Sequence, residues 1–169
     1  MFRTTLPARA TLAVAATLVA AVATPAAASP RPPHAGTTRT APSHSDIVID
    51  HIDSEPASAG ASTTVHILLA NHGPEPAASP FTVTVVLPPT TAVDAVPFPD
   101  ACTVDSTLTK VTCTFPAGLG VLRTAVTLVS VRIPAATPPA TQLTGGSATV
   151  TSPDNVDGPH AVDFSVQTT

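Results

Sequence analysis

The chain reads as an all-β protein, an immunoglobulin-like β-sandwich of seven or eight short strands, and three observations carry that reading. Stretches of strict apolar/polar alternation recur at Thr63–Ala70, Phe81–Leu87, Val111–Phe115 and Ala125–Ile133, the period-2 pattern of strands with one buried face. Turn residues separate them at Asn71–Pro80, Pro88-Pro89, Gly145-Gly146 and Pro153–Gly158. Two cysteines, 102 and 113, flank a polar connection and so close a hairpin. Between Asp46 and the end no helical periodicity interrupts the pattern. Trp and Tyr are absent, so the core Trp and tyrosine corner of an antibody domain are missing and a fibronectin-like or bacterial variant fits better.

Residues 1–28 read as a secretory signal peptide. Arg3 and Arg9 precede an apolar run from Leu12 to Ala23, and Ala26-Ala27-Ala28 supplies small residues before a cut after Ala28. The run is too short for a bilayer-spanning helix, which needs about 20 residues. Residues 29–45 are Pro, Ala, Ser, Thr and His without periodicity, the composition of an extended, disordered tether. The domain is expected over 46–169. Cleavage leaves five basic against eleven acidic side chains, a formal charge of −6, with Lys110 the only lysine; nucleic acid is excluded as a partner because the cations that would displace phosphate counterions are missing. No membrane span is expected in the mature chain, which is expected to be secreted, extracellular or wall-associated.

Each element follows in order. Asp46–Ile52 mixes β-branched residues with Asp and His, as an edge strand does. In the next strand Thr63, Val65, Ile67 and Leu69 share one face. Gly73 is expected to take positive φ in the turn that follows, where Pro74, Pro76 and Pro80 forbid a ladder. Phe81, Val83, Val85 and Leu87 face the core. Thr91–Pro97 suits a short strand. Cys102 with Val104, and Cys113 with Val111 and Phe115, point inward on adjacent strands; an even cysteine count in an exported chain implies a disulfide. After Ala125–Ile133 a flexible Pro/Thr/Ala loop is expected to reach Gly145-Gly146, before strands at Ala148–Val150 and Val162–Val166.

The block Asn71-x-Gly-Pro-x-Pro-Ala77, Phe81–Pro88, Cys102, Val111–Thr114 and Gly146–Ser152 with Asp154 resembles the bacterial conserved-repeat family known as domain of unknown function eleven, over roughly Asp46 to Val166. The resemblance implies an Ig-like module of bacterial secreted and cell-surface proteins, without catalytic residues. This chain has one copy where tandem arrays are usual. Its Ala/Pro/Thr-rich, lysine-poor composition points to a bacterium of high GC content.

Candidate chemistry is sparse. Asp50-His51-x-Asp53-x-Glu55 with Asp46 reads as an oxygen-rich cation site or as a charged edge strand, with Asp53 and Glu55 on the face of His51 and Asp50 on the other. Pro153–Gly158 resembles half a calcium loop but places Pro153 first and Phe164 twelfth, so Asx turns account for it better. The six histidines never stand at zinc spacing. Ser43-His44-Ser45-Asp46 has no nucleophile elbow. Val86, Val126 and Leu128 lie opposite the core-facing sets, and neighbouring strands would join them into an outer apolar stripe, awaiting a partner or covered by a loop. The chain is therefore expected to be no enzyme, without catalytic residues, metal or cofactor. It is read as a non-catalytic envelope or interaction module with an unknown protein or cell-envelope partner. The rivals are a secreted protease inhibitor using Asp105–Lys110 and a calcium-dependent adhesin using Asp50–Glu55.

Overall fold

The computed structural model describes residues 43–169; the expected signal peptide, His34 and the tether up to Pro42 lie outside the described residues. Nine strands form among them: β1 (Ile47–Ser54), β2 (Ser62–Asn71), β3 (Phe81–Val86), β4 (Ala92–Val93), β5 (Cys102–Val104), β6 (Lys110–Phe115), β7 (Thr124–Arg132), β8 (Gln142–Thr151) and β9 (His160–Gln167). A four-stranded sheet runs β1-β2-β7-β4 and a five-stranded sheet β5-β6-β3-β8-β9, with antiparallel pairing throughout. The inner faces meet in one core containing Val65, Ile67, Leu69, Val83, Val85, Val111, Val129, Val131 and Val150, each fully buried. This is the immunoglobulin-like sandwich that alternation predicts, with nine strands in place of seven or eight.

Two bulges explain where simple alternation falls short. In β1 the register slips between Ile49, opposite Leu69, and His51, opposite Leu68. Asp50 is the extra residue. The slip turns Ile52 inward to follow Ile47 and Ile49, where an unbroken strand would have sent His51 into the core. In β8 the slip lies between Leu143 and Gly146, so the strand begins at Gln142, inside the stretch whose composition suggests a flexible loop. Gly146 leaves room there for the Phe164 ring of β9, from which a Cβ would stand 2.7 Å.

Composition assigns Ser43–Ser45 to the tether, yet these residues pack on the domain. Ser45 is buried, the His44 N–H donates to Glu75 at 3.0 Å and the Ala78 N–H donates to Ser43 Oγ at 3.3 Å. Gly73 makes this possible in a way that differs from expectation. Its φ is not positive; instead a Cβ there would lie 2.4 Å from the His44 carbonyl oxygen and 2.5 Å from the Asp46 nitrogen. Close approach of two backbones, and not a left-handed turn, demands glycine.

Three buried polar side chains tie this end together. Asn71 Oδ1 accepts from the N–H groups of Gly73 (3.0 Å) and Asp46 (3.1 Å), while Nδ2 donates to the carbonyls of Glu75 (2.8 Å) and Leu119 (3.0 Å). All four hydrogen-bonding positions of the amide are filled. Asn155, between β8 and β9, bonds both main-chain groups of Ile47 at 2.9 and 2.8 Å, joining one sheet to the other. Asp154 accepts from the N–H (2.7 Å) and hydroxyl (3.0 Å) of Ser79, just before β3.

Candidate interaction surface

The disulfide hairpin follows from register. Cys102 stands opposite Cys113, and because the Cys102 N–H donates to Pro99 while the Thr114 N–H donates to Ala101, the two form a non-hydrogen-bonded pair, whose side chains approach most closely. Their sulfurs are bonded at 2.02 Å; Cys113 is buried and Cys102 packs on the core from the edge. The connecting loop is held from within by Asp105. Its carboxylate accepts from the Thr107 hydroxyl and from the N–H groups of Thr109 and Lys110, both at 2.9 Å. These bonds, the Thr107 hydroxyl foremost, hold the Asp105 pKa below the ordinary carboxylate range. Leu108 sits at φ 58 and its carbonyl accepts the Val93 N–H at 2.8 Å. The loop proposed for protease inhibition is thus a curled turn fastened to β4, with no extended segment to present.

The acidic residues around β1 spread apart and take separate histidine neighbours. Asp46 lies 3.0 Å from His160, Asp50 3.5 Å from His72 and Asp53 3.9 Å from His51. His51 and Asp53 share the outer face, as alternation predicts, while Asp50 occupies the bulge. Among the described residues no three His, Cys, Asp or Glu side chains converge as a metal site would. Ser43, His44, Ser45 and Asp46 form no triad, because Asp46 turns to His160 and the Ser43 hydroxyl is used by Ala78. His66 is exposed.

The expected stripe of Val86, Val126 and Leu128 does not form. β3 and β7 belong to different sheets, so Val86 lies on the outer face of the opposite layer. On the four-stranded sheet Val126 instead faces Leu68, and Leu128 exchanges two main-chain hydrogen bonds of 3.0 Å with Phe98. Phe98 extends the sheet edge by one residue beyond β4.

Between the Asp94 N–H, which donates to Ser130 of β7 at 3.0 Å, and Phe98 the segment Ala95–Pro97 bows outward. Val96 is 87% exposed and Phe98 51%, the most apolar feature on this flank. Next to Val96 a groove of about 450 Å³ runs between the β4 and β5 edges, walled by Val93, Ala95, Pro97, Cys102, Val104 and Leu108. At its rim Asp94 accepts from Ser62 Oγ (2.5 Å) and from Arg132 Nε (2.8 Å); the Ser62 bond, then the Arg132 bond, lower its pKa. Alternation alone reads this stretch as a short strand. The signal it carries is apolar Val96 and Phe98 each followed by a proline, which lacks the N–H that a continuous ladder would use.

No family model matches the chain and no curated protein does. Among solved structures, the collagen-binding domain from a Staphylococcus aureus adhesin is similar at 10% identity over 69% of this chain and 96% of that one, with a TM-score of 0.48. The major pilin subunit of Bacillus cereus is similar at 12% identity over 73% of this chain and 38% of that one, TM-score 0.46. An uncharacterised Nocardia farcinica protein with an immunoglobulin-like fold is similar at 19% identity, over 69% and 82%, TM-score 0.42.

Proposed function

We propose that the chain is a secreted, non-catalytic Ig-like module of the bacterial envelope or extracellular space, a relative of the conserved-repeat family, and that it acts by binding a protein or envelope partner through the β4 flank. The observation that carries this is the exposure of Val96 and Phe98 beside an apolar groove. A segment that only connected two strands would gain nothing from presenting two large apolar side chains to water. Support comes from the far end of the domain too, where the residues quoted for the family resemblance, Asn71, Gly73 and Asp154, each hold the scaffold together and leave the opposite flank free to bind.

The test is binding of the purified, labelled chain to envelope fractions of the producing cell. Val96→Asp and Phe98→Ser should each reduce saturable binding about tenfold or more, the effect of losing a central apolar anchor, with unchanged melting. Binding indifferent to both substitutions contradicts this reading.

A further inference from the structure

The turn between β8 and β9 is clamped at its base and open at its tip. Asp154 accepts from Ser79, and Asn155 bonds both main-chain groups of Ile47; both residues are buried. Beyond them the chain is exposed. Val156 is 77% exposed, Asp157 faces solvent, and Gly158, at φ 83, has no atom within 4 Å of the place a Cβ would take. The main-chain bond across the tip, from the Gly158 N–H to the Asn155 carbonyl, is long at 3.4 Å.

Asp157 is also the only aspartate or asparagine in the chain that precedes a glycine. The nitrogen of the following residue can reach the side-chain carboxyl to close a five-membered ring, and a glycine offers no Cβ to obstruct the approach. Other positions are hindered or held. Asn71 and Asn155 are followed by His72 and Val156 and have bonded amides. Asp94 and Asp105 are followed by Ala95 and Ser106, and their carboxylates accept hydrogen bonds.

We propose that Asp157-Gly158 is a site of spontaneous backbone modification, where aspartate converts to isoaspartate through a cyclic imide. The Gly158 nitrogen attacks Asp157 Cγ. The N–Cγ bond forms, the Cγ–O bond breaks, and the oxygen leaves as water with the amide proton and one proton from solvent. Water then opens the imide at either carbonyl. Addition at Cγ restores aspartate. Addition at the main-chain carbonyl of Asp157 leaves the nitrogen on Cγ, so the backbone runs through the side chain, longer by a methylene, and the former main-chain carbonyl becomes a free carboxylate. Mass is unchanged. The tip can take the extra atom because Asn155 before it, and His160 after it at 3.0 Å from Asp46, are held through side chains that the insertion does not touch.

Incubating the full chain for weeks in warm, neutral buffer tests this, with samples treated with an isoaspartyl methyltransferase and labelled S-adenosylmethionine. Label should accumulate, and fragmentation in the mass spectrometer should place it at Asp157. Asp157→Glu, whose ring would need six members, should lose the label, and Gly158→Ala should reduce it several-fold. Asp157→Asn should gain the mass of deamidation at that position faster than the wild type gains label. Melting curves taken alongside check that each variant is folded. A wild-type chain that stays unlabelled, label that falls on another aspartate, or an Asp157→Glu chain labelled as strongly as wild type overturns the proposal.

Discussion

At the scale of single residues, the fold depends on a few side chains whose hydrogen bonds are complete, and among the described residues two buried hydroxyls, those of Ser45 and Thr127, have no partner. Asn71→Ala orphans the N–H groups of Asp46 and Gly73 and two carbonyls in a buried place; a loss of about 3 kcal/mol or more is expected, seen as a lower midpoint in denaturant at unchanged slope. Gly73→Ala should cost a similar amount, since its Cβ has only backbone to push against. Thr127 is the opposite case. It is fully buried on the core face of β7 and its Oγ1 has no hydrogen-bond partner, so Thr127→Val removes an uncompensated hydroxyl at nearly constant volume. Stability should rise by about 1 kcal/mol, a shift of roughly 4 °C; a fall would show that the hydroxyl is satisfied in solution. Alternation alone places Thr127 on the core face, but whether a buried hydroxyl finds a partner depends on residues distant in sequence.

At the scale of elements, the β5–β6 hairpin is closed twice, by the Cys102–Cys113 bond and by Asp105. Closing a ring of about a dozen residues contributes roughly 3 kcal/mol in the chain-entropy model, so reduction should lower the melting temperature by on the order of ten degrees. A transition unmoved by reduction would mean that the loop is ordered without the bridge. Asp105 and Asp94 both have depressed pKa values in the folded state. Their contribution is therefore present above the unfolded carboxylate value of about 3.9 and is lost as pH falls through the lower folded value. Asp94→Asn and Asp105→Asn should each destabilise the chain at pH 7, and the difference from wild type should shrink below about pH 4; a difference constant with pH would locate the effect in packing and not in charge. The strands themselves are mostly legible in sequence, because Val65 to Leu69 or Phe81 to Val85 need only their own alternation. β1 and the first half of β8 are not, since a bulge is a decision taken with the partner strand: Asp50 is extruded so that Ile52 can meet Ile67, and Gly145-Gly146 reads as a break until Phe164 is seen to lie across it.

At the scale of the whole molecule, the domain has a knotted end and an open flank. Asn71, Asp154 and Asn155 gather β1, β3 and the β8–β9 turn at one end, while Val96 and Phe98 stand at the edge of the other side. The family resemblance draws attention to the first of these, and its residues prove to be scaffold. The proposed binding surface is less legible: whether Val86, Val126 and Leu128 share a face depends on which strands share a sheet, which no local pattern encodes, and the exposure of Val96 follows from a bow between two contacts with β7, Asp94 with Ser130 and Phe98 with Leu128. Export is the other property proposed for the molecule as a whole. Material recovered from culture medium should begin at Ser29, and intact chains starting at Met1 in the membrane would contradict it.

The claim that the chain works by contact through its β4 flank is tested most directly by photo-crosslinking in the producing cell. A crosslinking amino acid at Val96 should give a discrete adduct on illumination, and one at Thr149, on the outer face of β8, should give none. No adduct from position 96, or the same products from both positions, would contradict the account.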